Sequence, residues 1–191
     1  MSNEGHSVYL LPVSTWCAPF VAAIRRHYTG SRGAPPGRKL AWRIMVGARS
    51  VGWVGVGEPA YKLAARRRLG LLDARPLPAT VCCFIYRRED PTGPSGAAIL
   101  DLYHRAAAIE WLRRWEESIV HWETLVLPGA TPSPVAGACF RSAGYRSLGM
   151  TTGRSARRPA GSTRGARVWG NSEPKLVLYR GPLPRVALVP A

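Results

Sequence analysis

Residues 79–108, ATVCCFIYRREDPTGPSGAAILDLYHRAAA, decide the fold. Ala79 to Tyr86 is apolar at both alternating positions and rich in residues that suit a pleated strand, which predicts a central strand covered on both faces. Pro91-Thr92-Gly93-Pro94-Ser95-Gly96 then reads as a loop, with Ser95 placed to cap a helix. In that helix Ile99, Leu102, Tyr103, Ala106 and Ile109 recur at helical spacing on one side, with Asp101, His104 and Arg105 on the other. The phase slips near Glu110, which predicts a bend or a second segment through Trp115. A strand, a glycine-bearing loop and a helix present free backbone N–H groups and a positive dipole end to a phosphate or pyrophosphate. The residues expected to hold such a group are Arg87, Arg88, Gly93, Ser95, Gly96 and Ala97.

Upstream, Ser14 or Thr15 is expected to cap a helix with Phe20, Ile24 and Tyr28 on one face and Pro19 in its first turn. Lys39 to Val46 alternates cleanly, and Gly47-Ala48-Arg49-Ser50 turns it back into Val51 to Val56, an antiparallel hairpin. A helix from Pro59 closes at Gly70. Downstream, Ile119 to Leu127 reads as a second buried strand, Val135 to Ala143 as a short helix, and Tyr145 to Leu148 and Lys175 to Tyr179 as strands.

The chain has 191 residues and a formal charge of +16. That length fits one well-filled core, and that charge predicts attraction to nucleic acid or another polyanion. The acids are unevenly placed. None occurs from His6 to Gly57 or from Thr124 to Ser172, so an electrically mixed centre lies between two basic flanks that can meet on one phosphate-facing surface. The segment of about 152–171 is low in complexity and predicted to be a mobile basic loop. Its Arg154, Arg157, Arg158, Arg164 and Arg167, with Trp169 to stack on a base and Arg141 upstream, form the predicted nucleic-acid contacts. No apolar run is long enough to span a bilayer, and the opening residues lack the basic segment of a signal peptide, so the sequence predicts a cytoplasmic protein. Cys17, Cys82, Cys83 and Cys139 form no CxxC pair and the histidines show no ligand spacing, so no metal is expected.

His121 and Glu123, two apart on one strand, are the acid/base pair that the residues themselves suggest. Pairing with arginines for structural reasons is the alternative.

The order of elements, and Phe140-Arg141-Ser142-Ala143-Gly144-Tyr145 in the register of the family's Tyr-x-x-x-Gly-Phe, resemble the GNAT acyltransferase fold. That resemblance implies a single α/β domain with a mixed, mostly antiparallel sheet flanked by helices. It also implies an acyl-CoA, such as acetyl-CoA, held by the loop after the fourth strand, with the next strand splayed to admit the pantetheine arm. Within that fold, His27-Tyr28, Gly57-Glu58-Pro59 and GACFRSAGYRSLG are similar to Mom-type phage DNA-modification proteins. HYTG at 27–30, Glu123-Thr124-Leu125-Val126 and KLVLYRGPL also look like DruA of the Druantia anti-phage systems. The first likeness implies transfer of an acyl-derived group to a DNA base, adenine above all, by a phage or prophage protein that shields DNA from restriction. The second implies a non-catalytic DNA-binding defence component, and the wider family an N-acyltransferase acting on a small amine or a protein. Phe140 stands where the family often has a tyrosine that protonates the departing thiolate, so Tyr28 or Tyr145 is expected to supply the phenol.

Overall fold

The computed structural model describes residues 7–28, 33–60, 63–90, 94–130, 135–151 and 173–182. Alternation sets the first part of the sheet. Leu40, Trp42 and Ile44 of β2 (Lys39–Val46) enter the main core, whereas Ala41 packs on the opposite side. Gly47, at φ 56°, makes the tight turn into β3 (Arg49–Gly57), a backbone conformation that a side chain would strain. Sequence reading missed β1 (Val8–Val13), which pairs antiparallel with β2. Pro12 weakens its strand signature, but β1 is the sheet's edge, where a missing N–H on the open side costs nothing.

β4 (Thr80–Arg88) is the expected central strand and β5 (His121–Val126) its parallel neighbour. With β6 (Arg146–Met150) and β7 (Leu176–Arg180) they complete one seven-stranded sheet, in the order β1-β2-β3-β4-β5-β7-β6. Every neighbouring pair except β4/β5 is antiparallel. This is the α/β, mixed and mostly antiparallel sheet that the family resemblance implies.

Helices cover both faces. On one lies α2 (Gly96–Trp115), whose Ser95 Oγ accepts a hydrogen bond from the Ala98 N–H at 3.2 Å, as its position predicts. The helix runs through Glu110 without a break. Its buried line is Ile99, Leu100, Tyr103, His104, Ala107 and Trp111, so His104 faces inward and Ile109 is 65% exposed, the reverse of the expected faces. Two helical stripes share Ile99 and Tyr103, and the one that continues to Trp111 rather than to Ile109 removes more apolar area from water. α3 (Ala138–Ser142) packs beside α2.

On the other face, Phe20 and Ile24 of α1 (Ala18–Arg25) bury against Trp53 and Ile85. Cys17, not Ser14 or Thr15, is its N-cap; Ser14 Oγ instead accepts from the Trp16 N–H in the preceding turn. Tyr28 therefore lies beyond the helix end. The helix expected from Pro59 is a single 3-10 segment, Ala64–Leu69, closed by Gly70 at φ 78°. Ala65 and Leu69 cluster with Leu148, Val177 and Tyr179 of β6 and β7.

Candidate functional site: a cleft where two parallel strands part

The site starts with one extra residue. Gly55 pairs with Ile85 and Val56 with Cys83, so Phe84 is a bulge in β4. A bulge bends and twists its strand. Pairing of β4 with β5 runs from Thr80↔His121 to Cys83↔Thr124 and stops there, although both strands continue. The last tie is side chain to backbone, Thr124 Oγ1 donating to the Cys83 carbonyl at 3.0 Å. Beyond it the strands part, which is the splay that the family resemblance implies.

A cavity of about 520 Å³ fills the opening. Tyr86, Arg87 and Arg88 line it from β4, Gly96 from the start of α2, Phe140 and Cys139 from α3, and His27 and Tyr28 from the chain after α1. Arg87, Arg88 and Gly96 thus meet here as expected. Ser95 and Ala97 flank Gly96 at the helix start; Gly93 lies outside the described residues. In the first turn of α2 the Ala98 N–H is taken by Ser95 Oγ and the Ile99 N–H by the Ser95 carbonyl. Among the described residues no partner meets the N–H groups of Gly96 and Ala97, the donors that a helix start leaves open. Gly96 is also a packing requirement, because a Cβ there would stand 2.6 Å from the Cβ of Cys139.

Tyr28 spans the split. Its hydroxyl donates to the Leu125 carbonyl at 2.9 Å, just past the last β4/β5 pair. Burial raises its pKa, so the phenol is protonated and a donor at neutral pH. His27 beside it, ring centroids 3.9 Å apart, is held neutral: burial first and the Arg87 charge second lower its pKa to about 4. Its proximity was legible only as the dipeptide His27-Tyr28, and its role at the cleft wall was not foreseen.

The other expected acid/base residues are elsewhere. Glu123 is 2% exposed and bonded through both oxygens to the buried Arg66, Nε to Oε1 and Nη2 to Oε2, each at 2.7 Å. Its carboxylate pairs with an arginine, the alternative that the sequence left open. His121 sits at the paired end of β5, away from the split. The single Tyr179 hydroxyl proton goes to the Pro182 carbonyl at 2.7 Å, so His121 Nδ1–H donates to the Tyr179 oxygen, also at 2.7 Å. Tyr145 is buried behind Phe140, ring centroids 5.3 Å apart. Arg180 donates to His104 Nδ1 at 2.6 Å, which leaves His104 Nε2–H to donate to the Tyr145 oxygen at 2.8 Å. Position thus removes three of the four expected catalytic residues from the cleft and keeps Tyr28.

A second recess of about 140 Å³ lies on the α1 side of the split, between Ile24, Pro35, Cys82, Phe84 and Leu125. Neither recess has an Asp or Glu among its described lining residues. Arg141 is exposed on α3, its Nε donating to the Ala136 carbonyl at 3.3 Å. Arg154, Arg157, Arg158, Arg164, Arg167 and Trp169 lie outside the described residues, as does the whole predicted loop. Among the described residues no His, Cys, Asp or Glu group could hold a metal ion, and no helix is long and apolar enough to cross a membrane.

No protein-family model and no curated protein matches the chain. Solved structures do. It is similar to an aminoglycoside acetyltransferase in complex with coenzyme A at 12% identity, over 92% of this chain and 95% of that one, with a TM-score of 0.48. An acetyltransferase from Thermus thermophilus shows 14% identity over 92% and 97% of the two chains, with a TM-score of 0.45. Another from Sphaerobacter thermophilus shows 14% identity over 92% and 94%, with a TM-score of 0.41. At such identities the architecture rests on the sheet order, the bulge and the split.

Proposed function

We propose that the cleft binds an acyl-coenzyme A and that the protein transfers the acyl group to an amine, the exocyclic amine of a DNA base being the acceptor its charge favours. One observation carries the reading: the β4/β5 split, opened at Phe84, runs into a cavity that ends on the start of α2 beside Arg87 and Arg88. A pantetheine arm fits an opening between strands, and a pyrophosphate fits the Gly96 and Ala97 N–H groups with two guanidiniums. In the reaction the acceptor nitrogen attacks the thioester carbonyl, a C–N bond forms, the C–S bond breaks and the nitrogen loses a proton to water. Tyr28, the protonated phenol in the split, turns its hydrogen bond from the Leu125 carbonyl to the departing thiolate, which leaves as the anion. This supplies what Phe140 cannot.

Recesses with no acid among their described lining residues support an acceptor that is uncharged. An ammonium entering a chain of +16 would need a carboxylate to receive it, and then a base to deprotonate it. A nucleobase amine needs neither, although it must leave the stacked duplex to react. The Mom-type likeness gives the reaction a setting, the protection of phage or prophage DNA from restriction.

Coenzyme A or acetyl-CoA at 100 times its dissociation constant should stabilise the protein by about 2.7 kcal/mol, read as a rise in melting temperature. Ala97→Asp should abolish that rise without harming the fold, since aspartate suits a helix's first turn but repels a pyrophosphate. Tyr28→Phe should keep the rise and lower acyl transfer about 100-fold or more. Mass spectrometry of nucleosides from cells expressing the protein reads the acceptor. No shift with either ligand would sink the cofactor assignment, and an unmodified base pool beside an intact shift would sink the base-modification reading alone.

A further inference from the structure

Many described cations sit beside an acid. Arg26 and Arg87 share Glu89, Arg49 meets Asp90, Arg38 meets Glu58 and Glu117, Arg105 meets Asp101, and Arg113 and Arg114 share Glu110. The outer side of α2 is therefore largely self-neutralised.

The opposite face of the sheet is different. The run Arg66-Arg67-Arg68 is divided by the 3-10 helix, which buries Arg66 on Glu123 and leaves Arg67 and Arg68 exposed. Neither meets a carboxylate among the described residues. The Arg68 guanidinium lies against Gly149 of β6, so close that a Cβ at that position would collide with its Nη1. Exposed Arg146 of β6 stacks 5.1 Å over the Tyr179 ring, and its Nη2 donates to the Gly181 carbonyl at 2.8 Å. Leu148 and Tyr179, with which Arg146 shares a face, are the residues on which the 3-10 helix packs. So three guanidiniums without counter-charges among the described residues lie on this side of the sheet, and that of Arg146 is already held by its hydrogen bond and the Tyr179 ring. Groups fixed before binding lose little freedom when an anion arrives.

The same face reaches the split. Leu125 packs into the cluster under the 3-10 helix and also lines the second recess, beside Phe84 and Cys82. We propose that Arg67, Arg68 and Arg146 form a track for the phosphate backbone of a nucleic acid, which lays the strand beside the recess where one of its bases meets the acyl group. The proposal rests on the nucleic-acid acceptor proposed for the cleft. It places the grip on the sheet face, in addition to any contribution from the arginine-rich sequence after β6.

The test compares three full-length proteins binding a short labelled duplex across a salt series: wild type, R67Q/R68Q/R146Q and R105Q/R113Q/R114Q. Both variants lose three charges, but only the first loses the track. It should bind at least about 10-fold more weakly in low salt, with a salt slope reduced by about 2–3, while the α2 variant keeps the wild-type slope. Equal losses in both would make the effect one of net charge and overturn the track, as would an unchanged slope in the first. Arg146 also ties β6 to Gly181, so R67Q/R68Q is the fold-sparing version, expected to lose about 1.8 from the slope. Wild-type protein that binds no nucleic acid, yet melts higher with coenzyme A, would remove the track and the nucleic-acid acceptor while leaving the acyl-CoA cleft standing.

Discussion

Arg66 has an arginine on its C-terminal side in the sequence, yet it is fully buried, and Glu123 explains why. Two charge-assisted bonds at 2.7 Å satisfy the carboxylate, and Arg66 Nη1 spends a further donor on the Ala74 carbonyl at 3.0 Å. Breaking one half of such a pair leaves a buried charge alone. Glu123→Gln should therefore cost about 3–5 kcal/mol in denaturant melts, whereas replacing both residues by methionine should cost far less, because no uncompensated charge remains. A Glu123→Gln protein of wild-type stability that had lost acyl transfer would restore the carboxylate to catalysis. The sequence showed an acid and an imidazole on one face of a strand, and that was correct. It did not show that an arginine 57 residues earlier claims the acid.

The meeting of α2 with α3 shapes the phosphate end of the cleft, and it turns on Gly96. Ala at 96 would set its Cβ against that of Cys139, pushing α2's first turn off α3 and the Gly96 and Ala97 N–H groups out of line. Gly96→Ala should destabilise by about 1–3 kcal/mol and weaken coenzyme A binding, and Cys139→Gly in the same chain should restore part of the binding. Purely additive effects of the two changes would argue that the contact does not govern the site. Elements of this kind were legible where local chemistry decides: the β2–β3 hairpin from its alternation, the Ser95 cap, the closing Gly70, the apolar β4. They were not legible where a partner decides. β1 needs β2 to be a strand, the buried stripe of α2 is chosen by the sheet, and the Phe84 bulge that opens the cleft has no signature of its own in an apolar run.

Across the whole molecule, acid should act through two histidines that the fold keeps neutral. His27, with Arg87 near it, has a pKa of about 4; His104, facing Arg180, has one of about 3; burial is the larger cause for both. Unfolded, each titrates near 6.5. Between 6.5 and those lower values the unfolded chain binds more protons than the folded one, so stability falls as pH falls through that window and the two contributions vanish above it. A net charge of +16 adds general repulsion in acid, but salt screens that and leaves a buried imidazole almost untouched. His104→Gln separates the two: its amide oxygen can accept from Arg180 and its NH₂ donate to Tyr145, with nothing to titrate. Melts from pH 3.5 to 8 at high salt should show a wild-type acid limb steeper than the variant's by up to about 1.4 kcal/mol per pH unit, with the two curves parallel above pH 7. Curves parallel throughout would mean that His104 protonates in the folded protein, and would break the chain of donors from Arg180 to Tyr145 that holds the wall behind Phe140.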